Sequence, residues 1–188
     1  ALTHLADLGL PVIALCGPTC EGVKHGRAGH PPDASGKMPL HAGWQRSGYR
    51  PAAAVLTEYR EGSNVGVLCG LQDGAPISVA VVDADSPEAL AWMRANLPPT
   101  PWRVVGRRGE HWYYRARGPV RNRNLRYCTP SLELEVLGNG RQVVGPGSIH
   151  RTGRTYAPLG EWTPAGAAAL PEFDPAWFGG FAAGAPAA

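Results

Sequence analysis

Between Trp102 and Gly145 four short apolar segments, "WRVV", "HWYYRAR", "LELEVL" and "RQVVG", follow one another with Gly- and Asn-containing turns between them. Each is rich in β-branched or aromatic residues and shorter than an ordinary helix, so each predicts a strand. In "HWYYRAR" the period of two puts His111, Tyr113, Arg115 and Arg117 on one face and Trp112 and Tyr114 on the other. In "SLELEVL" it puts Glu133 and Glu135 opposite Leu132, Leu134 and Val136. This is the pattern of a sheet buried on one face and polar on the other, and "GNG" at 138–140 predicts a hairpin between the last two strands.

Earlier in the chain "PVIAL", "NVGVLCG" and "ISVAVVD" predict buried strands, with a short helix over 2–9 and another after Pro51. "SPEALAWMRANLPP" predicts a capped helix: Ser86 is the N-cap, Pro87 occupies the first turn, and Leu90, Met93 and Leu97 share a face. The 25 Gly and 19 Pro residues keep every element short, so the expected fold is a loop-rich α/β or α+β domain, and the run of strands after Pro101 fits α+β. One domain is expected over 1–174, followed at 175–188 by an Ala/Gly/Pro-rich tail or the start of a linker in a longer chain. No apolar run approaches the roughly 20 residues of a membrane helix. The start, "ALTHLADLGLPVIALCG", lacks the pattern of a signal peptide, so a cytoplasmic location is expected.

Charge is unevenly spread. Residues 103–154 hold eleven Arg and no Lys against Glu110, Glu133 and Glu135, a net of +8 in a chain whose total is +3. Guanidinium forks pair with phosphate oxygens bidentately, so the block points to a phosphate-bearing partner, although high Arg content can also simply solvate a surface.

The run "ISVAVVDADS" ends a buried strand in two carboxylates. Residues i and i+2 of an extended chain face the same side, so Asp83 and Asp85 converge, and two such groups repel unless a cation lies between them. Hard oxygen donors favour Mg²⁺ or Mn²⁺ with phosphate as a further ligand. Capping of the following helix is the competing explanation. Glu135 can supply a third carboxylate, a set suited to attack of a hydroxyl on a phosphate. Glu133 is expected to pair with a facing Arg.

His111 follows "GRRGE", where Arg107 and Arg108 can hold phosphates and the imidazole can donate to one. "VVGPGSIHRTGRTY" offers Ser148, His150, Arg151 and Arg154 on a turn-rich segment suited to phosphate or sugar contact. Cys16, Cys20, His25 and His30 have a spacing that could build a zinc site, against the alternative of a loop with two ordinary thiols.

The ordered series "GLPVIAL", "GKMPLHAGW", "NVGVLCG", "VAVVDADS", "GRRGEHWYYR" and "LELEVLGNGRQVVGPGSIHRTGRTY" resembles the bifunctional DNA primase/polymerase (prim-pol) domain of plasmids, phages and mobile elements, a branch of the archaeo-eukaryotic primase superfamily. The resemblance covers roughly residues 2–157. It implies an RRM-like antiparallel sheet joined to a smaller α/β unit, with the active site in the cleft between them. It places the metal-binding acids on Asp83, Asp85 and Glu135, with Mg²⁺ or Mn²⁺ as cofactor, and the nucleotide-contacting His on His111. Arg107, Arg108 or Arg115 would hold the phosphates of an NTP or dNTP, with Ser148, His150 and Lys37 as further contacts. Arg121, Arg123 and Arg126 in "RNRNLRY" would follow a single-stranded or primed DNA template. A helicase, fused or acting in trans, is an expected partner. Two departures stand out: the family's common "PPS" is "GPGS" here, and Gly109 stands where Ser is frequent. Rival readings are a sugar-nucleotide glycosyltransferase using the D-x-D, and a nucleic-acid-binding or nucleotide-regulated module whose acids are structural.

Overall fold

The structure is a computed structural model and describes residues 1–20 and 32–181. It is an α+β fold built on two antiparallel sheets. The smaller sheet has strand order β1-β2-β8, from Val12–Leu15, Asn64–Leu68 and Gln142–Val144. The larger has order β6-β7-β3-β5-β4-β9, from Arg123–Asn124, Leu134–Leu137, Val79–Ala84, Glu110–Arg115, Trp102–Val105 and Ala157–Gly160. Short helices α1 (Leu2–Asp7), α2 (Trp44–Ser47) and α3 (Ala52–Leu56) accompany the small sheet, while α4 (Pro87–Asn96) and α5 (Pro164–Ala168) accompany the large one.

The central strands β3 and β5 of the large sheet are buried on both faces, unlike the one-sided pattern predicted for "HWYYRAR", whereas β4 and β7 alternate buried and half-buried residues as one-sided strands do. On one face Ala80, Val82, Trp112, Tyr114 and Val136 pack with Ala89 and Met93 of α4. On the other, Val79, Val81, Tyr113 and Val104 pack with Leu5, Leu15, Val65 and Val67 from α1 and the small sheet. The face expected to carry polar groups is covered because the smaller unit brings its own apolar surface to it; each fully buried side chain of this size contributes roughly 1.5–3 kcal/mol. His111, Asp83 and Glu135 are left at the end of that face where the apolar cover stops.

Helix α4 begins as its sequence dictates, with the Ser86 hydroxyl accepting from the Ala89 N–H at 3.1 Å. The predicted hairpin at 138–140 is corrected. Strands β7 and β8 lie in different sheets, and the turn between them carries the chain across. Asn139 explains the crossing: its side-chain oxygen accepts from the Val120 N–H at 2.7 Å and its amide donates to the Leu71 carbonyl at 3.1 Å, pinning the turn to segments beside both sheets.

The packed chain also runs beyond the boundary expected at 174. Asp174 caps a 3-10 turn over Pro175–Phe178, and Phe178 is fully buried beside Trp92, with ring centroids 5.7 Å apart. Composition misled here because three aromatic side chains, Trp177, Phe178 and Phe181, anchor an otherwise small-residue stretch. Among the described residues no helix is long and apolar enough to cross a membrane.

Candidate active site

Strand register assembles the site. Across four neighbouring strands Asn124 pairs with Glu135, Glu135 with Asp83, and Asp83 with His111. Directly opposed residues project to the same face, so the four side chains form one row running inward from the sheet edge. The order is donor, acid, acid, imidazole.

Asp83 sits deep in this row. Its Oδ1 is buried without a hydrogen-bond partner, and the nearest group, Nε2 of His111, is 3.4 Å away, an ionic contact too long for a good hydrogen bond. Burial pushes the Asp83 carboxyl above the usual range, opposed first by His111 and reinforced by Asp85. Glu135 is raised for the same leading reason, burial, with Asp83 next. The Asn124 amide donates a hydrogen bond to Oε1 of Glu135. Nδ1 of His111 is likewise buried without a partner.

Asp85 lies just past the end of β3, where its backbone N–H donates to the Glu133 carbonyl at 2.8 Å. Its carboxylate meets Nη2 of Arg108 at 2.8 Å, and the same guanidinium nitrogen is 3.1 Å from Glu133. This contact raises the Arg108 pKa further, the hydrogen bond to Asp85 being its largest cause. Arg126 reaches the other oxygen of Glu133 at 3.2 Å, so Glu133 is the ion-pairing acid its sequence context predicts. A Cβ at residue 109 would lie 1.9 Å from the Ala84 carbonyl oxygen, so the turn that carries Arg107 and Arg108 lies against the end of β3 only because Gly109 has no side chain.

A cavity of about 350 Å³ opens over the inner end of the row. Its walls come from both sheets' surroundings: Asp83, Asp85 and His111 at the base, and Lys37, Arg107, Arg108, His150 and Arg151 around it. Burial, then Lys37 and Arg107, lower the pKa of His150. A smaller recess of about 50 Å³ lies among Asp83, Asp85, Asn124 and Glu135. Carboxylates at the base and cations at the rim suit a polyanion bridged to the acids by a cation.

Residues 1–173 match the family described as bifunctional DNA primase/polymerase, N-terminal. The chain belongs to the prim-pol family. Among curated proteins none matches the sequence. Membership makes this a domain of the primase/polymerase type, connected with DNA replication.

The three acids expected from the resemblance, Asp83, Asp85 and Glu135, are brought together, with His111 beside them, and Lys37, Arg107, Arg108 and His150 line the same cavity as Asp83 and Asp85. Of the other expected contacts, Arg126 also lines the smaller recess, and the rest are placed elsewhere. Arg115 lies at the far end of β5, opposite Val79, where its Nη2 donates to the Ala167 carbonyl at 2.6 Å. The Ser148 hydroxyl is buried between the N–H and carbonyl of Val65, at 3.1 and 3.0 Å, tying its loop to β2. Arg123 donates to the carbonyls of Phe178 and Phe181, both at 3.2 Å; Arg121 and Arg126 are both exposed, and Arg126, paired with Glu133, lines the smaller recess beside the acids. Of the zinc candidates, His25 and His30 lie outside the described residues. Cys16 is buried, its sulfur accepts from the Gly36 N–H at 3.2 Å, and burial followed by Cys20 pushes its thiol up to about 11.

Sequence reasoning missed Asn124, Asp33 and Tyr156, the last two of which also line the cavity. Only Asn124 left a trace, as a polar residue in "RNRNLRY" one turn away from the acid strand, and that trace carries no partner without the register.

The residues fit the divalent ion that a prim-pol domain implies. Two raised, mutually repelling carboxylates and one buried, unpartnered Asp83 oxygen are an all-oxygen donor set in need of a positive charge. Among the described residues no three acidic, His or Cys side chains close into a complete metal cage. Asp85 is turned to Arg108 and Glu135 to Asn124. An open set is what Mg²⁺ and Mn²⁺ use when substrate phosphate and water complete their shell.

Proposed function

We propose that this prim-pol domain catalyses template-directed nucleotidyl transfer, as a DNA primase, a DNA polymerase or both, in replication of a plasmid, phage or mobile element. The observation that supports this most is the row Glu135, Asp83, His111 beneath a rim of cations. Asp83, Asp85 and Glu135 would hold two Mg²⁺ or Mn²⁺ ions, whose chemistry when bound is to acidify the attacking 3′-hydroxyl and to neutralise the triphosphate and departing pyrophosphate.

The chain's own side chains do the rest by position. Lys37, Arg107, Arg108 and Arg151 supply the fixed positive charge that draws the triphosphate of an NTP or dNTP into the cavity and holds it in line with the acids. His111, anchored beside Asp83, presents its imidazole to a phosphate oxygen. His150 is kept neutral by burial and by its cationic neighbours, so it serves as a hydrogen-bonding group and adds no charge. Arg121 is exposed for contact with the phosphates of a single-stranded or primed template. A helicase, fused or separate, would supply the unwound strand.

The test is incubation with an unprimed single-stranded template and labelled nucleotides in Mg²⁺, Mn²⁺ or EDTA, beside the Asp83→Ala/Asp85→Ala protein. Products that need the metal and disappear in the double variant, with template binding retained, are expected. No product from the wild-type chain, even on a primed template that it binds, would mean a nucleic-acid-binding module with structural acids.

A further inference from the structure

The outer end of the acid row is closed by Asn124, a residue for which neither the family match nor the motif pattern gives a role. Its backbone pairs with Glu135 at the sheet edge, and its side chain makes two bonds of opposite polarity. Oδ1 accepts from the Arg126 N–H at 3.1 Å, capping the 3-10 turn over Leu125–Tyr127. Because that oxygen is committed to a backbone donor, the amide group is fixed in one orientation, and its Nδ2 is the atom aimed at Oε1 of Glu135.

The chemistry explains why this residue is Asn. Ser, Asp and Asn are all good caps for a turn of this kind. Asp would bring a third anion against Glu135 and Asp83. Ser would spend its short side chain on the cap and reach nothing else. Asn caps with its oxygen while its amide, a separate donor on the same side chain, reaches the neighbouring acid.

We infer that Asn124 is a positioning residue for the divalent-metal site: it occupies Oε1 of Glu135, fixes the carboxylate rotamer, and leaves Oε2 to face the cation. The inference rests on the assignment of Glu135 as a metal-holding acid. Along the row, each acid that burial disfavours has one flanking group, Asn124 on Glu135 and His111 on Asp83. Groups that orient a metal's carboxylate ligand in this way typically govern affinity by 10–100-fold.

The experiment is a Mn²⁺ titration of the whole chain, read by the electron paramagnetic resonance of free Mn²⁺, on wild type, Asn124→Ser, Glu135→Gln and the double variant. Asn124→Ser keeps a capping oxygen, so its thermal midpoint should stay within a few degrees of wild type. Its Mn²⁺ affinity should fall about tenfold, and the Mn²⁺ concentration for half-maximal synthesis should rise by a similar factor while kcat at saturating metal is retained. In the Glu135→Gln background the same substitution should cost nothing further, because the amide then has no metal-bound carboxylate to orient. Unchanged Mn²⁺ affinity in Asn124→Ser overturns the inference, as does an equal loss in both backgrounds. Wild type that neither binds Mn²⁺ nor synthesises would overturn the metal-site assignment itself, and the inference with it.

Discussion

The acids and the cations of the candidate site are carried by different kinds of structure. Asp83, Glu135 and His111 stand on three adjacent strands in fixed register, with Asp85 just past the end of one of them, whereas Lys37, Arg107, Arg108 and Arg151 come from connecting segments. A strand fixes a carboxylate through its neighbours' hydrogen bonds, which suits groups that must hold a small ion to within fractions of an ångström. Loops hold charge over a wider area and can adjust to a flexible triphosphate. The comparison teaches that replacing a strand-borne acid should act on the chemical step, and replacing a loop-borne cation on substrate affinity.

The sharpest way to break that division is Asp83→Asn. Synthesis should drop by at least about a thousandfold, roughly 4 kcal/mol of barrier. The metal-free protein should nevertheless become more stable, by on the order of 1 kcal/mol, or a few degrees in thermal midpoint, because an ionised carboxyl with a buried, unpartnered oxygen is removed. The sign follows from linkage: the folded-state pKa of Asp83 is raised, so its cost to stability is absent below the ordinary value of 3.8 and grows as pH rises towards the folded pKa. Thermal melts in EDTA at about pH 3 and pH 7.5 should therefore show the Asn variant gaining on wild type only at the higher pH. A variant less stable than wild type at pH 7.5 would show that Asp83 is a structural acid.

Next in size is Lys37→Ala. Lys37 is exposed at the cavity wall and acts electrostatically on both Asp83 and His150. Its loss should raise the KM for nucleotide about tenfold, on the order of 1.4 kcal/mol, with kcat within a factor of three. A fall in kcat at unchanged KM would put Lys37 with the acids in function despite its place on a loop.

Much of this division was legible in the sequence, for identifiable reasons. Period-two alternation put Asp83 beside Asp85 and set Glu135 opposite Leu134 and Val136, and the helix start at Ser86 follows from capping chemistry alone. What was lost depends on pairing between distant segments. Strand β6 has two residues and β9 contains Pro158, so neither carries a periodic signal, yet β6 delivers Asn124 to Glu135 and β9 completes the sheet edge. The turn after Leu137 looked like a hairpin because its residues are those of one. Only the contacts of Asn139 with Val120 and Leu71 redirect it between sheets. Alternation put Arg115 on the face of His111 but could not tell which end of the strand opens to the cavity.

A smaller effect is expected at Arg121, the exposed Arg that opens "RNRNLRY". If it contacts one template phosphate, Arg121→Ala should weaken single-stranded DNA binding a few-fold and reduce the slope of log affinity against log salt by about 0.7. Arg123→Ala should instead lower the thermal midpoint with no change in that slope, since its guanidinium is committed to the carbonyls of Phe178 and Phe181. Equal slopes for both variants and wild type would remove this segment from the template path.

The smallest functional effect, and the one that most directly separates placement from residue type, is expected from Arg115→Gln. Arg115 shares strand and face with His111 and carries the charge that phosphate binding would want. Its guanidinium, however, is bonded to the Ala167 carbonyl, and its backbone is stitched to Pro171 and Phe173. A charged donor to a carbonyl is worth roughly 1.5–3 kcal/mol, so the variant should lose several degrees of thermal midpoint. The KM for nucleotide and the salt dependence of DNA binding should stay at wild-type values when measured well below that midpoint. The strand would then act through its two ends separately, one holding the C-terminal segment and the other holding the imidazole against Asp83. A raised KM in a folded Arg115→Gln protein would mean that positive charge reaches the cavity along the strand, and that the loops are not its only source.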